Sequence, residues 1–241
     1  MCPNYRLIVI ALLSFVGLVM APPATFADGE HDKATKSQPT TAELEARARA
    51  RELGDRDYPL HDLPREVDGD VECPEIELVE YSGEVIPYNR PIEVNKDFRK
   101  RLIRFEKMVG ELATLVYGRP PARIVHAGGH TCRTVGNRGK KLSEHAFGHA
   151  IDVAGFDFEA TGEGGEEGGE KVARIATAFS IRLEDHWDAT EGFEAKHALF
   201  LRLLADELKE RGPFSTMLGP AYGGHDTFFH FDFGPQFFFR I

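Results

Sequence analysis

Leu-Ser-Glu-His-Ala-Phe-Gly-His-Ala-Ile-Asp-Val-Ala-Gly, residues 142–155, is the stretch that decides the fold of this 241-residue chain. Gly148 and the run Ala-Ile-Asp-Val favour a loop that leads into a β-strand over a helix. On that strand Ile151 and Val153 would face one way, while Asp152 would face the other. The stretch therefore predicts an apolar face against a core and a polar face that carries a carboxylate.

A second segment, Phe-His-Phe-Asp-Phe at residues 229–233, alternates aromatic and polar residues in the same way. If the two strands pair, Asp152 and His230 lie side by side on one sheet face, and His145 reaches them from the loop. Two imidazoles and one carboxylate suit a zinc ion that keeps its fourth position open, which favours metal-assisted hydrolysis over a structural clip. The alternative is a set of ordinary polar residues on a half-buried sheet.

The N-terminus has the pattern of a secretory signal peptide. One positive charge precedes an uncharged apolar run, residues 7–21, and small residues follow up to Ala27, which predicts cleavage after that residue. The alternative is an uncleaved membrane anchor, but the run is shorter than the roughly 20 residues that a spanning helix needs. We therefore expect residues 1–27 to be removed, no stable membrane anchor to remain, and the protein to be periplasmic or secreted.

The charge of the mature chain excludes some partners. Residues 1–27 contain one arginine and no acid, so the mature chain would carry 28 basic and 39 acidic side chains, a net charge of −11. An acidic surface argues against a nucleic-acid partner and against an electrostatic hold on an anionic membrane.

Two cysteines, Cys73 and Cys132, remain after cleavage. An oxidising compartment allows a disulfide between them, but sequence alone does not assign one, and two free buried thiols are the alternative. Neither cysteine has the nearby partner that a C-x-x-C clip requires, so a zinc site built on cysteines is not expected.

The rest of the chain divides into a leader and one domain. Residues 28–70 are polar and punctuated by proline, which is typical of a leader and linker, with a short exposed helix at residues 41–53. Residues 71–241 are enough for one domain with its own core. Helical periodicity at residues 96–117 and 194–211, together with short strands in no regular alternation, favours the α+β class: a small antiparallel sheet flanked by helices.

Three blocks of the sequence resemble the bacterial extensin-like C-terminal family: Cys132-Arg133, SEHAFGHAIDVAGF at 143–156, and LGPAYGGH at 218–225 followed by a His-x-Asp pair. The similarity covers roughly residues 73–241. The pattern Ser-x-His-x-x-Gly-x-Ala-x-Asp with a distant histidine also looks like the metal site of LAS-type zinc metallopeptidases. That group includes D-Ala-D-Ala dipeptidases, penicillin-insensitive murein endopeptidases and hedgehog domains. The resemblance implies a LAS- or hedgehog-like fold whose sheet carries a zinc site.

The resemblance also implies roles for individual side chains. His145, Asp152 and His230 would be the zinc ligands. Arg133 would stabilise negative charge on a tetrahedral intermediate or hold a substrate carboxylate, because a guanidinium offers two parallel donors.

Three more side chains would support these groups. His225 would donate to the oxyanion, and Ser143 would orient substrate or a ligand. Asp232 would hydrogen-bond a zinc-bound imidazole rather than act as a fourth ligand.

The chain departs from the family pattern at the expected general base. Relatives usually carry an aspartate three residues before the last ligand histidine, where this chain has Thr227, and Phe228 replaces a pocket histidine. Thr227 cannot act as a base near neutral pH, and Asp226, Glu144 and His225 are the alternative candidates. Zinc alone lowers the pKa of its water to about 7, and a positioned base adds roughly 10²–10⁴-fold. The loss would therefore slow the reaction without abolishing it.

Together these features favour a zinc-dependent hydrolase that cleaves D-amino-acid-containing peptide bonds of bacterial cell-wall peptidoglycan. One alternative is a zinc-binding but catalytically silent module that binds wall peptides or regulates a cell-wall enzyme partner. Another is a structural envelope domain whose metal contributes folding energy only.

Four other histidines are not expected to be metal ligands. His126, His130 and His197 are predicted to be ordinary surface or core residues, and His149 is predicted to lie behind the ligands or at the surface.

Overall fold

The computed structural model describes residue 60 and residues 62–137, 139–161 and 176–241. The predicted signal peptide and the predicted exposed helix at residues 41–53 lie outside the described residues. Within that described part, no helix is long and apolar enough to cross a membrane.

A long amphipathic helix, α1, spans Lys96–Tyr117. It begins where the Asn95 side chain accepts a hydrogen bond from the Asp97 backbone N–H, and it ends at Gly118, whose φ of 78° is left-handed. These bounds confirm the helix predicted from the spacing of its apolar residues. Its buried face includes Phe98, Leu102, Phe105, Val109 and Leu112, and Val116 on the same face is partly buried.

Two further helices are described. Helix α2 is one turn, Leu183–His186, and helix α3 spans Glu194–Arg211, as its periodicity predicts. Gly212 ends α3 in the left-handed region with φ 65°. Helices α1 and α3 contact each other along the apolar core.

The strands form a two-stranded sheet and a six-stranded sheet. The two-stranded sheet contains β1 and β2, and the six-stranded sheet contains β3 to β8. Their bounds are β1 Leu78–Tyr81, β2 Ile92–Asn95, β3 Arg123–Gly128, β4 Ala150–Phe158, β5 Phe179–Arg182, β6 Thr216–Leu218, β7 Phe229–Asp232 and β8 Phe238–Arg240.

Strand β4 is the centre of the larger sheet. Along one edge it pairs with β3, and along the other it pairs first with β7 and then with β5, in each case antiparallel. Strand β6 continues the sheet beyond β7 and β8 closes that side. The nine residues of β4 therefore connect the polar site to most of the fold.

The α+β class predicted from the sequence is confirmed, but the prediction of a purely antiparallel sheet is wrong at one edge. Strands β6 and β8 pair in parallel, with Thr216 opposite Phe238 and Leu218 opposite Arg240. The chain leaves β6, forms β7, and returns to the outer side of β6 in the direction in which β6 runs. Such a return depends on tertiary packing of short segments and has no local sequence signal.

One face of the larger sheet is an aromatic core. Phe231 of β7 stacks on Phe214 at 4.9 Å between ring centroids and contacts Phe105 of α1 at 5.6 Å. Phe156 of β4 meets Phe200 of α3 edge-on at 5.5 Å. Burying such a side chain contributes about 1.5–3 kcal/mol, so these contacts hold β4 and β7 in place behind the polar face.

Leu60 and residues 62–73, which include the end of the predicted linker, pack against the loop that precedes β4. Leu60, Leu63 and Val67 contact an apolar cluster of Leu142, Ala146 and Phe147. Backbone hydrogen bonds join Val67 to Lys140 and Leu142 to Arg65. We call Leu60 and residues 62–73 the brace, because they back the loop that carries His145.

A disulfide ends the brace. Cys73 and Cys132 are bonded, with their Cα atoms 5.8 Å apart. Residues beside Cys132 are in turn tied to the His145 loop, because the Thr131 N–H donates to the His145 carbonyl and the Ser143 N–H donates to the Arg133 carbonyl. The disulfide therefore fixes the brace to the same loop from its other side.

Candidate metal centre

The register between β4 and β7 places Asp152 directly opposite His230. This confirms the strand pairing expected from the alternation of the two segments. Their neighbours Val153, Phe229 and Phe231 are buried in the aromatic core on the other face. The two polar side chains thus lie side by side because the flanking apolar residues occupy the core.

His145 reaches the same point from a short 3-10 helix, Glu144–Phe147. The Ser143 hydroxyl accepts a hydrogen bond from the His145 backbone N–H at 3.3 Å and so caps this turn. Gly148 ends it with φ 63°, and a Cβ there would lie 2.6 Å from the Asn95 nitrogen. Only glycine allows both the left-handed backbone and this close approach to β2.

Three ligand atoms form a nearly equilateral triangle. His145 Nε2 lies 3.2 Å from His230 Nδ1, and Asp152 Oδ1 lies 3.3 Å from the first and 3.0 Å from the second. Bonds of 2.0–2.1 Å to a tetrahedral zinc ion separate the ligand atoms by about 3.3 Å. The spacing of the three atoms therefore fits one face of a zinc tetrahedron.

Hydrogen bonds on the outer sides of the His145 and His230 rings determine which nitrogen of each ring carries the proton. His145 Nδ1 lies 2.6 Å from the Gly129 carbonyl oxygen, which can only accept, so this nitrogen carries the proton. His230 Nε2 lies 3.0 Å from the carboxylate of Asp232, and it donates there. In the neutral rings, both inner nitrogens are then lone-pair acceptors facing a carboxylate oxygen.

Three converging acceptors require a positive charge between them. In the metal-free chain a proton supplies it. Burial alone would lower the pKa of His230, but hydrogen bonds to Asp152 and Asp232 outweigh it and raise that pKa to about 9. Burial would also raise the pKa of Asp152, yet its hydrogen bonds with His145 and His230 hold it well below its usual value. A divalent cation meets the same demand with more charge.

This proton leads to a testable dependence on pH. In metal-free protein we expect the free energy of unfolding to fall by on the order of 3 kcal/mol as the pH rises from 6.5 to about 9. The lower limit is the ordinary pKa of a histidine, and the upper limit is the raised pKa of His230. The folded state binds the His230 proton more tightly than the unfolded state, so the stabilisation is complete below pH 6.5 and is lost above pH 9. Urea unfolding in the presence of a chelator from pH 6 to 10 measures it. The His230→Gln variant should show a flatter profile, and an identical slope in both proteins would contradict the assignment.

Asp232 is buried and holds the outer side of the centre. Besides the bond to His230, it accepts hydrogen bonds from the Gly234 N–H at 3.0 Å and the Ser215 hydroxyl at 3.4 Å. Because these donors fix the carboxylate, the carboxylate fixes the orientation of the His230 ring.

A cavity of about 710 Å³ opens above the triangle. Asp152 and His230 lie in its wall, so the fourth position of a zinc ion held by the three atoms would face this space. Other residues of the wall include a guanidinium, a carboxylate, an imidazole and aromatic rings: Arg133, Glu144, His225, Tyr222, Phe228 and Phe238.

Only some of the predicted catalytic residues line this cavity. Arg133 and His225 line it, whereas Asp226 and Thr227 are exposed and are absent from its wall as far as the described residues define it. Glu144 lines the cavity but forms an ion pair with Arg65 of the brace. Burial lowers the pKa of His225, which makes it a neutral imidazole near neutral pH.

Ser143 lines the cavity and caps the His145 turn, so its hydroxyl has a structural partner. His149 is fully buried on the core side, where its ring lies 5.9 Å from that of Phe98. The surface alternative predicted for His149 is wrong, because the residue is buried and its ring is turned towards helix α1.

Comparison with known proteins finds one family model that matches part of this chain. Residues 49–164 match the family model described as Extensin-like protein C-terminus. The match supports the extensin-like C-terminal family. Searches of curated proteins and of solved structures found no match to the chain.

The extensin-like match includes the brace, Cys73, Cys132 and the candidate ligands His145 and Asp152, and it ends before β7. His230 thus joins the set through the geometry of β7 and not through the matched segment. Two contributors to the centre were missed from the sequence: the Gly129 carbonyl and the brace. The pair Gly128-Gly129 was a visible signal, since a Cβ at Gly129 would lie 2.3 Å from Ile92.

Proposed function

We propose that this chain is a zinc-dependent hydrolase of the LAS metallopeptidase type that cleaves D-amino-acid-containing peptide bonds of bacterial peptidoglycan. The observation that carries the proposal is the triangle of His145 Nε2, Asp152 Oδ1 and His230 Nδ1, with sides of 3.0–3.3 Å, in the wall of a cavity. A periplasmic or secreted location, with residues 1–27 removed as a signal peptide, is part of the same proposal.

The residues present fit a zinc ion. His145, Asp152 and His230 would hold it, and each imidazole has an outer acceptor of the kind that orients zinc-bound histidines. Zinc bound in such a site supplies Lewis acidity, which polarises a carbonyl group and lowers the pKa of water to about 7.

Arg133 gives the cavity its affinity for negative charge. Its guanidinium lines the space that Asp152 and His230 also line, and a planar two-pronged donor suits a carboxylate or a developing oxyanion. Stem peptides of peptidoglycan offer such carboxylates. We assign to Arg133 the orientation of the substrate and the stabilisation of negative charge that develops on it.

His225 is the cavity residue that can move a proton. Its ring lies 6.0 Å from that of His230, and burial lowers its pKa, so that it is neutral and can accept a proton near neutral pH. Asp226 is exposed outside the cavity wall, and Glu144 is held by Arg65. We therefore propose His225, and not Asp226, as the general base.

A second candidate function rests on the replacement of the family's usual general base, an aspartate, by Thr227. Thr227 and Phe228 stand where members of the resembling family carry an aspartate and a histidine. A chain without an effective base would bind zinc and wall peptide without turnover. This alternative is a catalytically silent binding module, or a regulator of a cell-wall enzyme.

Digestion of purified peptidoglycan and of D-Ala-terminated peptides distinguishes the two functions. With zinc-loaded protein we expect fragments whose masses identify hydrolysis at a D-amino acid, and we expect Arg133→Ala to lower kcat/KM by roughly 10²–10³-fold, as loss of an oxyanion donor does. Arg133→Lys is the matched control and should retain part of the activity, because it keeps the charge and loses the fork. Peptide binding without any fragment at high protein concentration would replace the hydrolase by the silent module.

A further inference from the structure

A second set of metal-ligating side chains lies away from the cavity. It consists of His186, at the end of helix α2, and of Glu194 and His197, in the first turn of helix α3. One ligand atom from each residue lies within 4.8 Å of the other two. These residues line no part of the cavity at the metal centre described above.

The spacing of the three residues follows from the local fold. Glu194 and His197 are three residues apart on a helix, which places their side chains on the same face. His186 comes from the preceding short helix, and its Nε2 lies 2.7 Å from Glu194 Oε2. His197 Nε2 lies 4.0 Å from the same oxygen. The Glu194 carboxylate thus lies between two imidazoles.

The tautomer of His197 is set by a hydrogen-bond chain. The Tyr117 hydroxyl donates to the Lys196 carbonyl at 3.2 Å, so its oxygen accepts from His197 Nδ1 at 2.9 Å. His197 Nε2 then carries the lone pair, and it is this nitrogen that faces Glu194. An outer partner that fixes the tautomer and orientation of an imidazole is the usual arrangement behind a metal-bound histidine.

Aromatic packing holds the His197 ring in position. The ring is 2 % exposed, stacks on Phe179 at 5.1 Å, and meets Phe193 edge-on at 4.7 Å. Burial, together with the neighbouring charges of His186 and Lys196, lowers the pKa of His197 to about 4. The packing and the hydrogen bond to Tyr117 together hold the ring with Nε2 directed at Glu194.

His186 is engaged in the same manner on its other nitrogen. Nδ1 lies 2.9 Å from the Arg182 carbonyl oxygen and 3.0 Å from the Arg182 backbone nitrogen, so the backbone satisfies either tautomer. In the metal-free chain the contact of 2.7 Å is a hydrogen bond from His186 to Glu194. In the other tautomer the single ring proton lies on Nδ1, which donates to the Arg182 carbonyl, and Nε2 is then free of a proton and can bind a metal ion.

The ordinary alternative is a buried histidine beside a surface ion pair, which the sequence predicts for His197. That alternative explains each contact singly. It does not explain why oriented imidazole nitrogens of His186 and His197 both point at the carboxylate of Glu194. Glu194 has 57 % of its side chain exposed, so an ion can reach the cluster from solvent.

We propose that His186, Glu194 and His197 form a second metal site for a divalent ion of the zinc, cobalt or nickel type. Two imidazole nitrogens and one carboxylate suit these borderline ions better than magnesium or calcium, which prefer all-oxygen sites. The bound ion would join helix α2 to the first turn of α3. Trp187, next in the chain, packs on Phe229 at 5.6 Å, so this junction supports the strand that carries His230.

Metal stoichiometry tests this site independently of any hydrolase activity. Untagged full chain is dialysed against Zn²⁺, and bound zinc is counted by mass spectrometry. We expect two ions for the wild type, one for Glu194→Gln, one for Asp152→Asn and none for the double variant. Glu191→Gln, an exposed acid three residues from Glu194, is the matched control and should keep two ions.

Folding of the variants does not confound the result. Glu194 is largely exposed, so Glu194→Gln should keep the fold, whereas replacing buried His197 could perturb the aromatic packing. The affinity of the second site should fall by about 100-fold or more in Glu194→Gln, since loss of an outer partner alone costs 10–100-fold. His186→Ala should reproduce that loss, and Co²⁺ absorption should lose one of two spectral components in either variant. Unchanged stoichiometry in both variants would overturn the proposal, whatever the state of the first centre.

Discussion

Replacing His230 with alanine is expected to lower zinc affinity at the metal centre by more than about 100-fold, beyond the 10–100-fold cost of losing an outer partner. The change removes one of three atoms that lie 3.0–3.3 Å apart and leaves the buried Asp232 without its imidazole partner. Hydrolysis, if it depends on this centre, should be lost with the metal. Zinc titration of the variant, followed by digestion of D-Ala-terminated peptides, measures both effects.

A Glu194→Gln background and a His130→Ala control make this zinc titration specific for the metal centre. In a Glu194→Gln background the second cluster is removed, so one zinc per chain reports the centre alone. Asp152→Asn should reproduce the loss, because it keeps the shape of the side chain and removes its charge. His130→Ala, a nearby histidine outside the triangle, should bind zinc as the wild type does. Wild-type affinity in His230→Ala would contradict the assigned centre.

Removing the disulfide is expected to have the second largest effect. The bond closes a loop over a sequence separation of 59 residues. For a loop of this length, the entropy of the unfolded chain gives a stabilisation of about 4 kcal/mol. Paired Cys73→Ser and Cys132→Ser substitutions should therefore lower the free energy of unfolding by about this amount, as measured by urea denaturation.

The same change should weaken metal binding. The backbone beside Cys132 donates to the His145 carbonyl and accepts from the Ser143 N–H, so loosening it should let the His145 turn move. The wild type with a reducing agent should behave like the double variant, and the double variant should not respond to the reducing agent. Equal free energies of unfolding for the oxidised wild type and the double variant would contradict the prediction that the disulfide stabilises the fold.

Much of the metal centre was predictable because its signal is local. The alternation of Phe229, His230 and Phe231 fixes which side chains face the core, and a strand has only two faces. Pairing with the similarly patterned β4 then brings Asp152 opposite His230. Helices α1 and α3 were predictable for the same reason, since their apolar periodicity is local and a glycine directly follows each of them.

Other features depend on contacts between distant parts of the chain. The parallel pairing of β8 with β6 and the packing of the brace on the His145 loop have no periodic pattern to reveal them. The exposure of Asp226 follows from the path of the loop before β7, which sequence spacing does not determine. The position of His197 beside His186 and Glu194 likewise arises from the junction of two helices.

The alternation on β7 also affects how the metal centre can assemble. A slip of one residue in the pairing with β4 would turn Phe229 and Phe231 towards the ligands and His230 towards the aromatic core. A sheet with this slip would therefore place phenylalanine rings where the imidazole nitrogen belongs, and it would not bind the proposed ion. If the centre binds the proposed metal, the ion would add binding free energy only to chains whose strands have reached the native register.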